Sequence, residues 1–315
     1  MHNLFLVKKI KFDTKINDII SNHHNSLIIS TNKGLKVFDS KGNFLFANEN
    51  TSDPKIDLFN KIYHSFDEEN NFHVYSVGSG GIYELIVSDG SIECKKIDSI
   101  PVKNGIYTFK NRNYEFVLKG KKFENLHPPL TTITPFLCVI VAEMNKQLFY
   151  LDFTSAKLFN YETKEQLVRK GHLSDVLSLS PNGKKILYQH TNKQLWIYDT
   201  DKKSHFNPKT YFDLNYHFVF FISDHHIFIY RNRSLNSIVN IYTNKEFNLG
   251  LKLGKLDLHR KWFCDFDLKM GLAYSIGRNI LGQDKFLEIY KIPDSILAEI
   301  EKEIIYHDSQ ENAGI

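Results

Sequence analysis

Short apolar runs broken by clusters of Asn, Asp, Gly and Lys recur along the whole chain, and they come in pairs. Residues 18–21 and 26–30 flank Asn22-His23-His24-Asn25, and residues 64–66 and 72–76 flank Asp67-Glu68-Glu69-Asn70-Asn71. The same pairing recurs at 106–109 with 114–118, 138–142 with 147–151, 177–180 with 185–188, 220–223 with 227–230, and 263–267 with 272–275. Apolar or aromatic runs on either side of a short polar turn read as β-hairpins. A third strand follows each pair, with anchors at Phe38, Ile86, Phe123, Tyr161, Tyr198, Tyr242 and Tyr290. A short fourth strand often comes next, as at Gly42–Phe46 and Glu165–Val168. Leu27–Ile29 and Ile227–Tyr230 are apolar without alternation, which suits strands covered on both faces.

One segment repeats almost literally. Thr31–Asp39 (TNKGLKVFD) returns 160 residues later as Thr191–Asp199 (TNKQLWIYD). A period of roughly 40 to 50 residues filled with short strands is the signature of a propeller. Four strands per unit in seven units predict an all-β, seven-bladed β-propeller over residues 1–293. The third unit is short and ends in His127-Pro128-Pro129, so a six-bladed ring is the alternative. The last unit has three strands, and an orphan strand, Leu4–Phe12, precedes the first. The expectation is that this N-terminal strand completes the last unit and closes the ring. Beyond Pro293 the period becomes helical: Ile296, Leu297, Ile300 and Ile304 share one face, opposite Glu299, Glu301, Lys302 and Glu303. That predicts a short amphipathic helix over 294–306, packed on the propeller, and a frayed tail over 307–315.

Composition changes this picture little. The 315 residues include 25 Phe and 16 Tyr, which favour pleated, half-buried surfaces. A net charge of +4 from 40 basic and 36 acidic residues is too mild to imply nucleic acid. Three widely spaced cysteines (Cys94, Cys138, Cys264) form neither a disulfide framework nor a metal motif. The apolar start of the chain stops at Lys8, and the longest apolar run, Phe136–Ala142, is far short of a membrane span. A cytoplasmic protein is expected.

The unit from Gly171-His172 through Ser180-Pro181-Asn182-Gly183 to Tyr198-Asp199 resembles a WD40 repeat. That family opens its repeat with Gly-His, carries Ser-Pro-Asp-Gly in the first turn and closes with Trp-Asp. The resemblance covers about 29 residues, partly again at Phe38-Asp39, and elsewhere only the strand rhythm is shared. It implies a scaffold for partners as the commonest role. The family's bracing His, Ser/Thr, Asp and Trp reduce here to His172, because Asn192, Tyr188 or His190, and Tyr198 stand at the other positions. Packing between units must then carry the stability.

Candidate chemistry is sparse. The His23-His24 and His225-His226 pairs occupy equivalent first turns of two units, where two imidazole pairs could ligate a metal. Turns of different units lie apart and no carboxylate spacing accompanies them, so they read as turn residues. Asp67-Glu68-Glu69 reads as a solvated charge cluster, and Gly78-Ser79-Gly80-Gly81 as a tight turn with no helix behind it to hold phosphate. No catalytic motif, cofactor motif or metal motif is present. The turns between second and third strands carry Lys33, then Lys119, Lys121 and Lys122, then Lys157, Lys193, Arg231, Arg233 and Arg278. On a propeller these would form a basic rim attracting an acidic peptide of a protein partner. Aromatic interleaving for base stacking is missing from these turns, which weighs against nucleic acid. The expected role is non-enzymatic protein interaction. The alternative is a propeller hydrolase or lactonase with a metal in the central channel.

Overall fold

The computed structural model describes residues 2–21, 26–48, 62–66, 72–78, 81–88, 91–97, 105–110, 117–118, 121–122, 138–144, 147–152, 157–160, 163, 173–182, 184–190, 194–208, 218–230, 236–251, 261–278 and 283–312. The chain divides into two compact units. One is built from its beginning and end (1–49 and 214–315, with 208–210), the other from its middle (50–207, with 211–213).

In the first unit, β1 (His2–Lys11) precedes a four-stranded antiparallel sheet of β2 (Ile16–Ser21), β3 (Ser26–Thr31), β4 (Gly34–Asp39) and β5 (Phe44–Asn48). In the second unit, β6 (Ile62–Phe66), β7 (Phe72–Gly78), β8 (Gly81–Ser88) and β9 (Ser91–Ile97) form another such sheet. Gly78 and Gly81 face each other across the β7–β8 turn, the tight turn that the glycines predict.

The third expected hairpin falls partly outside the described residues, and its first strand is paired elsewhere. β10 (Gly105–Lys110) is followed by a two-residue ribbon of β11 (Val117–Leu118) and β12 (Lys121–Lys122). β10 instead pairs with β13 (Cys138–Met144), which continues into β14 (Gln147–Asp152) and β15 (Lys157–Asn160). The physical reason is ladder length. Residues 138–144 offer β10 six consecutive pairs, whereas the run ending at Leu118 is cut by Lys119-Gly120. The third and fourth units of the sequence pattern therefore share one four-stranded sheet. The second unit ends with β16 (Leu173–Leu179), β17 (Lys185–His190), β18 (Leu195–Asp199) and β19 (Ser204–Phe206).

Back in the first unit, β20 (Phe218–Phe221), β21 (His226–Tyr230), β22 (Asn236–Asn240) and β23 (Glu246–Leu251) form one sheet, and β24 (Lys261–Asp267), β25 (Leu272–Arg278) and β26 (Asp284–Lys291) form the next. β1 pairs antiparallel with β26 from Phe5↔Lys291 to Lys11↔Phe286, becoming the fourth strand of that last sheet. Its first residues also run parallel to β23, from His2↔Leu249 to Leu4↔Leu251. Lys9 on β1 reaches the buried Glu288 at 3.0 Å, and Tyr290 donates its hydroxyl to the same carboxylate at 2.7 Å. A register shift at Val7 and the lysines around it blunt the outer edge of β1, where Phe5, Leu6 and Val7 are exposed.

The last sheet is buried on both faces. Tyr274, Ile276, Leu287 and Ile289 pack with Ile16, Ile19, Leu27 and Ile29 of the β2–β5 sheet. Ala273 and Tyr290, on the opposite face, pack with Phe228, Ile238 and Leu249 of the β20–β23 sheet.

Third strands end in a recurring polar turn. Asp39 accepts the Asn43 N–H, Asp199 accepts those of Asp201 and Lys202, and Asn240 accepts those of Tyr242 and Thr243. A short side-chain acceptor satisfies backbone donors that the strand no longer uses. At the β16–β19 sheet, where the sequence lacks most of the WD40-type brace, Tyr188 of β17 has its hydroxyl 2.9 Å from His205 Nδ1 on β19. Burial pushes that hydroxyl's pKa up, so it stays a donor.

After Pro293 the chain forms α1 (Asp294–Asn312). It starts where the sequence predicts and continues past 306, so the expected frayed end is helical through Asn312.

Gly42, in the β4–β5 turn, has φ +76°, and a Cβ there would lie 2.7 Å from Ile289 Cδ1 and 3.0 Å from Ile10 Cδ1. Gly42→Ala is expected to lower stability by about 1–3 kcal/mol, since both strain and contact oppose the methyl. Urea denaturation with an unchanged slope would check this.

Candidate functional site

The densest polar cluster among the described residues lies where α1 meets the β20–β23 sheet. The bend between β20 and β21 is Ser223-Asp224-His225-His226. Ser223 Oγ accepts the His225 N–H at 3.3 Å, and Ile222 N–H bonds back to the His226 carbonyl at 3.0 Å, so the bend turns both imidazoles inward. The rings are 1% and 0% exposed.

Opposite them, α1 presents two stripes. Ile296 and Ile300 are buried, and Leu297 and Ile304 are partly buried, against Phe228, Phe266 and Ile292. Further along, Glu299, Glu303 and His307 follow at four-residue steps, which places them in one row. Glu303 Oε2 lies 2.9 Å from His226 Nε2 and 2.7 Å from Asn240 Nδ2, and Glu303 Oε1 lies 3.1 Å from Lys245 Nζ. Lys245 also bridges to Glu299, and Asp308 Oδ1 lies 2.9 Å from His225 Nε2. The His307 ring stacks on His225, with centroids 5.1 Å apart.

Hydrogen-bond bookkeeping sets the protonation states. Asn240 cannot flip, because its Oδ1 accepts two backbone N–H groups. Its Nδ2 therefore donates both to Glu303 and, at 3.2 Å, to His307 Nε2, which must be a lone pair. His226 donates from Nε2 to Glu303, and its Nδ1 lies 2.9 Å from Ser223 Oγ. His225 donates from Nε2 to Asp308, and its buried Nδ1 has no hydrogen-bond partner among the described residues. Burial holds the His226 pKa below its ordinary value despite the pull of Glu303. Burial would raise Glu303, but hydrogen bonds from Asn240, His226 and Lys245 outweigh it and keep it below the usual carboxylate range. The carboxylates of Glu303 and Asp308 are thus engaged in holding a helix. These contacts anchor the helix to the sheet.

The other sequence candidates fall elsewhere. His23-His24, Asp67-Glu68-Glu69, Lys119, Lys193, Arg231 and Arg233 lie outside the described residues. Lys33 occupies the β3–β4 turn, where its Nζ lies 2.9 Å from Asp13. Arg278 closes β25, at the start of the connection to β26. The regrouped sheet moves others off the rim. Lys119, Lys121 and Lys122 fall between its first and second strands, and Lys157 opens its fourth. In an antiparallel meander those connections lie at the end opposite the second-to-third turn. Sequence reading recognised the His225-His226 turn but not its occupant. The row of Glu299, Glu303 and His307 beside an apolar stripe was the available signal. Among the described residues, no three His, Cys, Asp or Glu side chains converge as metal ligands would.

No protein-family model matches the chain, and no curated protein matches its sequence. Among solved structures it is similar to the β-propeller domain of Cps50 (Swd1) from Myceliophteria thermophila, at 10% identity and TM-score 0.54, over 92% of this chain and 100% of that one. It is also similar to an oligogalacturonate lyase from Vibrio parahaemolyticus, at 8% identity and TM-score 0.55, over 93% and 99% of the two chains. An oligogalacturonate lyase in complex with manganese aligns at 9% identity and TM-score 0.52, over 94% and 100%. At such identities the likeness is one of fold alone, and the fold is that of a β-propeller. An enzyme shares it, so the fold selects no activity.

Glu303→Ala leaves His226 and Asn240 buried without their shared acceptor and Lys245 with Glu299 alone. It is expected to cost about 2–4 kcal/mol in urea unfolding, against less than about 0.5 kcal/mol for the exposed Glu301→Ala.

Proposed function

We propose that this divergent β-propeller is a non-enzymatic, cytoplasmic interaction module that binds an acidic segment of another protein. In this reading the six four-stranded sheets are its blades, and the pairing of β1 with β26 is the link that closes the ring. The observation that carries the functional reading is the distribution of positive charge over one class of connection. Between the second and third strands of their sheets come Lys33, Lys146, Lys193, Arg231 with Arg233, and Arg278. Five of the six sheets thus carry a basic residue there, and the exception is the Ser79-Gly80 turn. Lys146 joins this set because the regrouped sheet makes β13 and β14 its second and third strands. A rim of this kind steers an anionic partner and sets its orientation more than it adds raw affinity.

Asp13 tempers one member. The hydrogen bond from Lys33 holds the Asp13 pKa below the ordinary carboxylate value, so this pair is charged and partly self-neutralised at neutral pH. Arg231, Arg233 and Arg278 are therefore the more informative positions.

The test compares affinity capture from the native source by the wild-type chain and by Arg231→Glu/Arg233→Glu/Arg278→Glu. Lys202→Glu/Lys203→Glu, in an exposed third-to-fourth-strand turn, serves as the control. A specific acidic partner should bind the wild type and the control equally and the rim variant at least about tenfold more weakly, with a salt-dependent on-rate. Equal capture by all three chains would overturn the reading. So would a large thermal stabilisation by a divalent ion, which would point to the metal-dependent hydrolase or lactonase instead.

A further inference from the structure

We propose that the contact between α1 and the β20–β21 bend is an acid-released latch: the helix is seated while His226 and His307 are neutral and leaves when they take up protons. The geometry assigns this without reference to the partner-binding reading. Each imidazole is built into the seated state in a form that a second ring proton would disturb.

His307 is the plainest case. Its Nε2 accepts from Asn240 Nδ2, and that amide is locked by two backbone N–H groups on its oxygen. A proton on Nε2 would set N–H against N–H, with no flip to relieve it. His226 is wholly enclosed, so a positive charge on its ring would be held away from water. His226 and His307 also repel each other once both are charged.

The facing charges come from three elements. The bend supplies Asp224 beside the two histidines, and the β22–β23 turn supplies Lys245 and Glu246. From α1 come Glu299, Glu303 and Asp308, whereas Glu301 and Lys302 are exposed. Glu303 would partly offset charge on His226, but it is already the anionic acceptor of its Nε2–H group in the neutral state. His307 Nε2 accepts from Asn240, which also donates to Glu303.

The sign follows. His226 has its folded pKa depressed by burial, so its share of the docking energy is present above the ordinary value of 6.5 and is lost as pH falls below it. Glu303, also depressed, contributes above 4.5 and is lost only at lower pH. The first release is therefore a histidine event. It would uncover the apolar seat of Ile296 and Ile300.

The test is amide hydrogen exchange of α1 in the full chain at pH about 7.5 and 5.5, each rate divided by the unstructured-peptide rate at that pH. Protection of residues 296–307 should fall at least about tenfold at the lower pH while that of β21 holds. His226→Gln/His307→Gln keeps a donor toward Glu303 and an acceptor toward Asn240 but does not titrate, and should hold most of its protection at both values. His307→Gln alone is the fallback should the pair fail to seat the helix, and it should roughly halve the logarithmic loss. Unchanged wild-type protection at the lower pH would overturn the proposal. So would an undiminished loss in the variant that seats.

Discussion

Burial of the last sheet on both faces is the constraint on which the first unit depends. β25 alternates between two cores: Tyr274 and Ile276 enter one, and Ala273 the other. Each fully buried Leu or Ile is worth about 1.5–3 kcal/mol, so a strand pair with two apolar faces holds its neighbours more firmly than any polar contact in the unit. Such a sheet cannot leave its outer backbone edge bare. β1 supplies the missing strand, and Lys9 gives the buried Glu288 its countercharge. The chain's first strand is thereby tied to its last by a ladder of main-chain bonds.

The helix uses the same surface differently. Its apolar stripe continues the core around Phe228 and Phe266, while its polar row meets a bend whose two histidines have almost no access to water. Apolar docking alone would be insensitive to pH. In the latch proposed above, two imidazoles, one of them accepting from an amide that cannot turn, make the contact conditional on protonation. Fold and regulation thus draw on separate parts of one interface, and neither depends on a catalytic group.

The basic connections illustrate how topology redistributes meaning. Lys157 and Lys33 look equivalent when every apolar pair is taken as the start of a unit. Once β10 pairs with β13, Lys157 moves to the other end of its sheet and Lys146 takes the equivalent position. A charge pattern argued from turns is only as sound as the assignment of strands around them.

The sequence by itself determined the strand class, most hairpins and the start of α1, because alternation, turn residues and helical spacing are local properties. The repeat of Thr31–Asp39 at Thr191–Asp199 and the unbroken apolar runs at Leu27 and Ile227 carried the propeller reading. Only the tertiary structure decided that 106–109 joins 138–144, since pairing partners compete through ladder length across distant segments. It alone placed His225 and His226 under Glu303, Asp308 and His307. Those residues lie roughly 80 positions apart in the chain, and no local pattern records which face of a helix a buried turn will meet.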